Sequence, residues 1–282
     1  MQTTEVIILF DEFGTPSFKD TTSSGLFMGA SALYLANDEK KIFKSLDKSM
    51  GLSKTQPVKN NKISKNRAKI IARETSSKKL HIAARYLDLN NKQLELVTND
   101  YLRLSNLGRQ IWREVKGRKD VHLLHSQILL HCIFDNILEF LGCYQGGNIQ
   151  FNIFIDSFSY PKTDLHIVHE YCSNNLLKHV QKYIDNDMNK QVNVSFDPIK
   201  FFAKHNTSRE RLIDCLNSII GRSLLDVRSD KYDLEPRDLI QKGLGNKFSF
   251  GDITDETITF LHTSMYDDIQ NTKIQDKPLI IL

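Results

Sequence analysis

An apolar run that stops on two acids and a glycine constrains this chain more than any other feature. Val6-Ile7-Ile8-Leu9-Phe10 leads directly into Asp11-Glu12-Phe13-Gly14. Five consecutive large apolar residues read as a buried strand of an α/β sheet, because both faces need cover. Its acidic end then lies where the sheet opens to solvent. The arrangement recurs at Phe151-Asn152-Ile153-Phe154-Ile155-Asp156-Ser157. Two such strands side by side bring one Asp each to the same end of the sheet, which is the basic layout of a site for divalent cations.

The other elements follow from period and punctuation. A second strand is predicted over Gly25–Tyr34, whose small residues permit close backbone approach. A polar, basic region covers Asn37 to Lys79. The stretches Leu80–Leu89 and Gln93–Val97 read as a hairpin turned at Asn90-Asn91. From His122 to Leu141 the apolar residues Leu123, Leu130, Phe134, Ile137, Leu138 and Leu141 share a helical face, with Gly142 placed to stop it. After the Asp156 strand, a helix capped near Thr163 or Asp164 is predicted to about Ile184, with Leu165, Val168, Cys172 and Val180 inward. A strand over Val192–Phe196 and a capped helix from Ser208 complete the pattern.

This is the element order of a ribonuclease H-like fold. The expected architecture is α/β: a ribonuclease H-like mixed five-stranded sheet flanked by helices. It spans residues 1–225, with a basic insertion at about 37–79, and a C-terminal appendage at 226–282 packs on the core. In that appendage Ile258, Leu261, Met265 and Ile269 form amphipathic material read as core. The 282 residues, 40% of them hydrophobic, suffice for one such domain.

Composition narrows the setting. Cys132, Cys143, Cys172 and Cys215 lie far apart without CxxC spacing, so they read as reduced core thiols of a cytosolic protein. The first apolar run is a short strand interrupted by Asp11, not a leader, and the 122–141 helix carries too many polar residues to span a bilayer. A cytoplasmic protein without a membrane partner is expected. The net charge of +4 is too small to establish a polyanion partner; its distribution says more.

Phe10-Asp11-Glu12-Phe13-Gly14 followed by Leu26-Phe27-Met28-Gly29-Ala30 resembles the opening of the domain-of-unknown-function 3800 family. The Ile155-Asp156 strand end and the helix over Leu212–Leu224 are similar to later blocks of it, so the resemblance covers roughly Val6 to Leu225. It implies a ribonuclease H-like fold with a divalent-metal-dependent nuclease centre, often in phage-defence or mobile-element neighbourhoods. Asp11 and Asp156 match its metal-ligating positions, and Mg²⁺ or Mn²⁺ would be the ion. The family's last helix tends to read Leu-Gln-x-Ala-Asp-x-x-x-Gly. Aligning on Gly221 puts Asn217 where that Asp stands, with Asp214 three residues earlier.

Asp214, Asn217 and Gly221 share one helical face, so either side chain can turn towards the strand ends, and Gly221 would let the helix sit close to the sheet. A carboxylate is the better hard-cation ligand. Asp214 is therefore read as the third catalytic acid and Asn217 as a weak ligand or a sign of lost activity. Glu12 joins the metal ligands only if the strand ends at Asp11, because adjacent strand residues face opposite sides. Taken singly, Asp11 and Asp156 would pass as turn acids; their pairing favours a site. Asp135 is a remote fourth acid, more naturally a helix-edge group facing solvent.

Lys54, Lys59, Lys62, Lys65, Arg67, Lys69, Arg73, Lys78 and Lys79 form a basic run broken only by Glu74. It suits a phosphate backbone and equally a solvated helix face, and few aromatics interleave it. His122/His125 and His166/His169 have HxxH spacing without a completing ligand, so core-edge or solvent roles are expected; the second pair could also reach substrate phosphate. The leading expectation is a metal-dependent nuclease acting on DNA or RNA. The rivals are a catalytically eroded scaffold that binds nucleic acid or a partner protein, and a small-molecule phosphoesterase with a closed pocket.

Overall fold

A computed structural model describes residues 3–15, 18, 25–50, 63–104, 109, 111–113, 115, 119–144, 146–156, 178, 180–186, 192–202, 207–228 and 235–253. The strands are β1 (Thr3–Phe13), β2 (Leu26–Leu35), β3 (His81–Asp88), β4 (Gly147–Ile155), β5 (Val192–Phe196), β6 (Lys200–Phe201) and β7 (Phe248–Asp252). The helices are α1 (Glu39–Met50), α2 (Lys65–Ser76), α3 (Lys92–Leu104), α4 (Lys119–Cys143), α5 (Ser208–Arg228) and α6 (Glu235–Leu244).

The strands form one seven-stranded mixed sheet in the order β5-β4-β1-β2-β3-β7, with β6 also paired to β4. The chain first runs as an antiparallel meander, β1 to β2 to β3. It then crosses to the other side of β1, where β4 and β5 add in parallel. The expected α/β class holds, but five strands become seven. The additions are the two-residue β6 and the parallel edge strand β7, so the region after Asp226 contributes to the sheet itself.

β1 is the pivot. Its alternate residues supply both cores: Val6, Ile8 and Phe10 pack with α3 and α4, while Ile7 and Leu9 pack with α1, α2, α5 and α6. Residues 37–79, expected as a polar insertion, hold two amphipathic helices that cover the second face. Ile42, Phe43, Leu46 and Met50 of α1 and Ala68, Ile71 and Ala72 of α2 are buried there.

The predicted hairpin is corrected. Its second arm is helix α3, started by Asn91, whose Oδ1 accepts from the backbone N–H of Gln93 (2.9 Å) and Leu94 (3.4 Å). Leu94, Thr98 and Leu102 are buried at helical spacing while Leu96 is 59% exposed; a strand would have put Leu94 and Leu96 on one face. Helix α4 also differs from expectation. It is buried on nearly all sides, with Leu124, Ile128, Leu129 and Ile133 adding to the predicted face. Among the cysteines, Cys132 and Cys215 are buried as expected but Cys143 is exposed. Cys172, the predicted helix start near Thr163, the histidines at 166 and 169, and the amphipathic stretch at 258–269 lie outside the described residues.

Side-chain bonds fix the layers against the sheet. On α4, Asn136 Nδ2 donates to the Ser31 backbone carbonyl (3.0 Å) and Ser31 Oγ donates to the Cys132 carbonyl (2.7 Å), all in the core. On the other face, the first turn of α5 is tied to α1. Arg209 donates through Nε and Nη2 to both Glu39 oxygens at 2.7 Å, and Ser208 Oγ donates to Asp47 Oδ2 at 2.8 Å. Among the described residues no helix is long and apolar enough to cross a membrane.

At Gly29 on β2, a methyl group would stand 2.2 Å from Ile128 Cγ2 and 2.7 Å from the Phe10 ring, both in the core. Gly29→Ala is therefore expected to destabilise the fold by about 1–3 kcal/mol through overpacking. The urea midpoint should fall with an unchanged m-value.

Candidate metal centre

The β1–β4 ladder runs in parallel from Thr3↔Asn148 to Phe10↔Ile155. The next residues on the two strands are Asp11 and Asp156, so strand register alone sets the two acids side by side. β1 continues beyond this point only on its other edge, where Asp11 pairs with Ala30 and Phe13 with Met28. Helix α5 crosses this sheet end and delivers Asp214 from one turn and Asn217 from the next. Gly221 permits the close crossing, since a methyl group there would meet the Phe13 ring at 2.7 Å.

Asp11, Asp156 and Asp214 each present a carboxylate oxygen within 4.8 Å of the others. Asp11 is only 5% exposed and Asn217 is fully buried. Asn217 Nδ2 donates to Asp11 Oδ2 at 3.1 Å. Its Oδ1 is buried without a hydrogen-bond partner among the described residues. A buried carbonyl oxygen left unsatisfied beside three gathered carboxylates is what a hard cation would complete, because it supplies charge and coordination together. The donor set is all oxygen, which suits Mg²⁺ or Mn²⁺ over softer ions.

The electrostatics agree. Burial raises the Asp11 carboxyl well above its usual range, with the charges of Glu12 and Asp156 adding; bonds from Asn217 and Asp214 offset this only in part. Asp214 is raised too, first by burial and then by the Asp11 charge beside it. Acids this close cannot all ionise without a counter-charge, so the pair holds a proton when no cation is bound.

Glu12 sits elsewhere. Because β1 extends to Phe13, Glu12 points to the opposite face of the sheet from Asp11. There its Oε2 lies 3.7 Å from His125 Nε2 of α4. Burial lowers His125 to about 3, so the ring is neutral, and burial followed by the Asp156 charge raises Glu12 to about 8. The sequence offered His125 only as half of an HxxH pair; no local signal linked it to Glu12. Asp135 also stands apart, its Oδ2 2.6 Å from Arg85 Nη2 on β3. It is a partly buried ion-pair partner, not a group facing solvent.

The basic run is dispersed. Lys54, Lys59 and Lys62 lie outside the described residues. On α2, Arg67 Nη2 donates to the Met50 carbonyl, and Lys69 Nζ lies 2.5 Å from Glu235 Oε2. Lys78 Nζ is 3.5 Å from Glu74, while Lys65, Arg73 and Lys79 are exposed. A cluster of three aspartates and Asn217 that could hold a cation, at the strand ends of a mixed α/β sheet, is what fold and site define. No protein-family model matches the chain, and no curated protein is significantly similar to it.

The raised carboxyls predict how metal-free stability varies with pH. A carboxyl raised in the folded state binds more protons folded than unfolded, so its contribution is full below about 4 and is lost as pH rises through the folded value, about 8 for Glu12. His81, His125 and His131 are lowered to about 4, 3 and 4, chiefly by burial, and act oppositely below their unfolded value of 6.5. The carboxyls therefore dominate from pH 6.5 upwards. Urea midpoints of the metal-free protein should fall between pH 6.5 and 8.5, and Asp214→Asn or millimolar Mn²⁺ should flatten that slope.

Proposed function

We propose that this chain is a divalent-metal-dependent nuclease that hydrolyses phosphodiester bonds of DNA or RNA on a ribonuclease H-like scaffold, as the resemblance to the domain-of-unknown-function 3800 family implies. The observation that carries the reading is the meeting of Asp11, Asp156 and Asp214 within 4.8 Å at the ends of two adjacent parallel strands and one crossing helix. The sheet order supports the scaffold: an antiparallel meander carries two parallel strands on the β1 side, as a mixed sheet of this kind would.

Cations bound here would polarise the scissile phosphate and lower the pKa of an attacking water. The three aspartates would hold them. Asn217 would fix the Asp11 carboxylate through its amide and offer Oδ1 to the ion, so its neutral side chain would lower the charge of the site without removing an oxygen donor. Neutral His125 beside Glu12 would keep the far side of the strand end polar but uncharged. The basic surface of α2, with Lys65 and Arg73 exposed, would attract the substrate backbone.

The test is cleavage of labelled single- and double-stranded DNA and RNA with Mg²⁺ or Mn²⁺. Asp11→Ala and Asp156→Ala should each reduce cleavage on the order of a hundredfold or more, because each loses a ligand worth several kcal/mol of transition-state stabilisation. Salt-sensitive binding without metal-dependent cleavage in the wild type would replace this reading with the eroded scaffold.

Asn217→Ala should lower Mn²⁺ affinity about 10–100-fold, as loss of a group that orients a metal ligand does. Asn217→Asp should retain or strengthen it. Calorimetric titration of the folded variants measures both, and wild-type affinity in Asn217→Ala would remove the residue from the centre.

A further inference from the structure

Trp112, the chain's only tryptophan, is presented to solvent from a rigid mount. Ile111 and Val115 on either side of it are 0% and 3% exposed, in the core that α3 and α4 share with β1. The backbone N–H of Val115 donates to the Ile111 carbonyl at 3.0 Å, which fixes the turn between them. Trp112, inside that turn, is 57% exposed. Lys119, the first residue of α4, holds Nζ 3.8 Å from the centre of its ring. The indole keeps its exposure with that cation already in contact, so aromatic surface is left for a second flat group. Scattered apolar residues are ordinary on protein surfaces. An anchored indole that carries a cation is not of that kind.

The position of α4 gives the pair a use. His125 meets Glu12 at 3.7 Å and the Phe10 ring edge-on, at the strand end that carries Asp11. Further along, Phe140 packs on Phe151 and Tyr144 is hydrogen-bonded to Thr4, at the other end of the sheet. Lys119 lies on the side of His125 away from Phe140, about 9 Å along the axis at 1.5 Å per residue. Trp112 and Lys119 therefore stand at the acid end of the sheet, on the α4 side. A strand advancing about 3.4 Å per nucleotide crosses that interval in a few steps. The local charge suits such a ligand. From Arg109 to Asp120 the sequence holds Arg109, Arg113, Lys116, Arg118 and Lys119 against Glu114 and Asp120, a positive surplus whichever of them pair with one another.

We infer that Trp112, with Lys119 over its ring, is a base-stacking platform for single-stranded nucleic acid beside the Asp11 end of the sheet. The assignment gives the nuclease reading a substrate class and rests on that reading for its ligand. An aromatic face takes a base of any sequence, but only one that is not already stacked and paired inside a duplex. Lys119 braces the ring and brings positive charge to the phosphate next to the stacked base.

The platform carries its own reporter, because all tryptophan emission of the protein comes from Trp112. Oligothymidylate, oligouridylate and a duplex of equal length are titrated into metal-free protein. Saturable quenching by at least one of the single strands is expected, and weaker quenching by the duplex. With a dye-labelled strand, Trp112→Ala should weaken binding about 5–150-fold and leave the log–log salt slope unchanged, as loss of one stacked base does. Trp112→Phe should recover part of the loss. Lys119→Gln should instead reduce the slope by about 0.7, as loss of one phosphate contact to a single strand does. Ile70→Ala, at a residue 49% exposed on α2 across the sheet, should change neither quantity.

Quenching that is absent with every strand, or binding unchanged in Trp112→Ala, overturns the platform. So does equal binding of duplex and single strand. Self-association that is lost in Trp112→Ala, in a protein that binds no oligonucleotide, would make the indole a protein contact and reject the inference. The nuclease reading fails separately. Single-strand binding that depends on Trp112, without cleavage in Mg²⁺ or Mn²⁺, keeps the platform and refutes the nuclease. Metal-dependent cleavage of single strands that is undiminished in Trp112→Ala does the reverse.

Discussion

The parallel pairing of β1 with β4 is the constraint on which the rest depends. β1 is hydrogen-bonded along both edges and supplies residues to both cores, so its position is over-determined. β4 takes its register from that strand, and the ladder ends at Phe10↔Ile155. Everything chemical follows from the next residue on each strand. A slip of one residue would send Asp156 to the other face, and would move Asn152 away from Lys200 and into the core where Ile153 now packs. Hydrophobic patterning thus holds the two acids together although nothing attractive acts between them.

The attraction must come from outside the acids, and the helix crossing is where that need shows. α5 is anchored at its first turn by the Arg209–Glu39 and Ser208–Asp47 contacts, and further along by Gly221 against Phe13. Between these anchors Asp214 and Asn217 are pressed towards an already buried Asp11. Packing therefore forces like charges together. Burying a carboxylate costs free energy that pairing normally offsets, and here the bonds from Asn217 and Asp214 to Asp11 offset it only in part. The fold stores an electrostatic deficit that a divalent cation would remove, so metal binding at this site would raise stability.

Much of this was legible in the sequence because it rests on runs of residues. The apolar stretches before Asp11 and Asp156 specified both strands, and the spacing of Asp214, Asn217 and Gly221 specified one helical face. What was misread had local signals that compete. Leu94 and Leu96 have the period of a strand, but Asn91 caps a helix and the burial of Thr98 and Leu102 decided the period. β6 is two residues long and β7 is recruited only by pairing with β3, so neither had a local signal strong enough to be placed. The partners of Glu12 and Asp135 were beyond reach for a different reason. His125 and Arg85 lie more than forty positions away in sequence and meet them only after the layers pack.

The end of β1 also separates two kinds of polar environment with a single peptide bond. Asp11 faces α5 and the gathered carboxyls of Asp156 and Asp214. Glu12 faces α4 and a neutral imidazole. The strand's alternation makes this division unavoidable once pairing with β2 continues to Phe13. The two carboxyls still sense each other, since the Glu12 charge raises Asp11 and that of Asp156 raises Glu12. A cation on the α5 face would therefore favour ionised Glu12 across the sheet without coordinating it. His125, unable to take a proton readily from its buried position, would then face a carboxylate as a neutral hydrogen-bonding partner. Two helices that never touch the same side of the sheet are in this way electrostatically joined through one strand end.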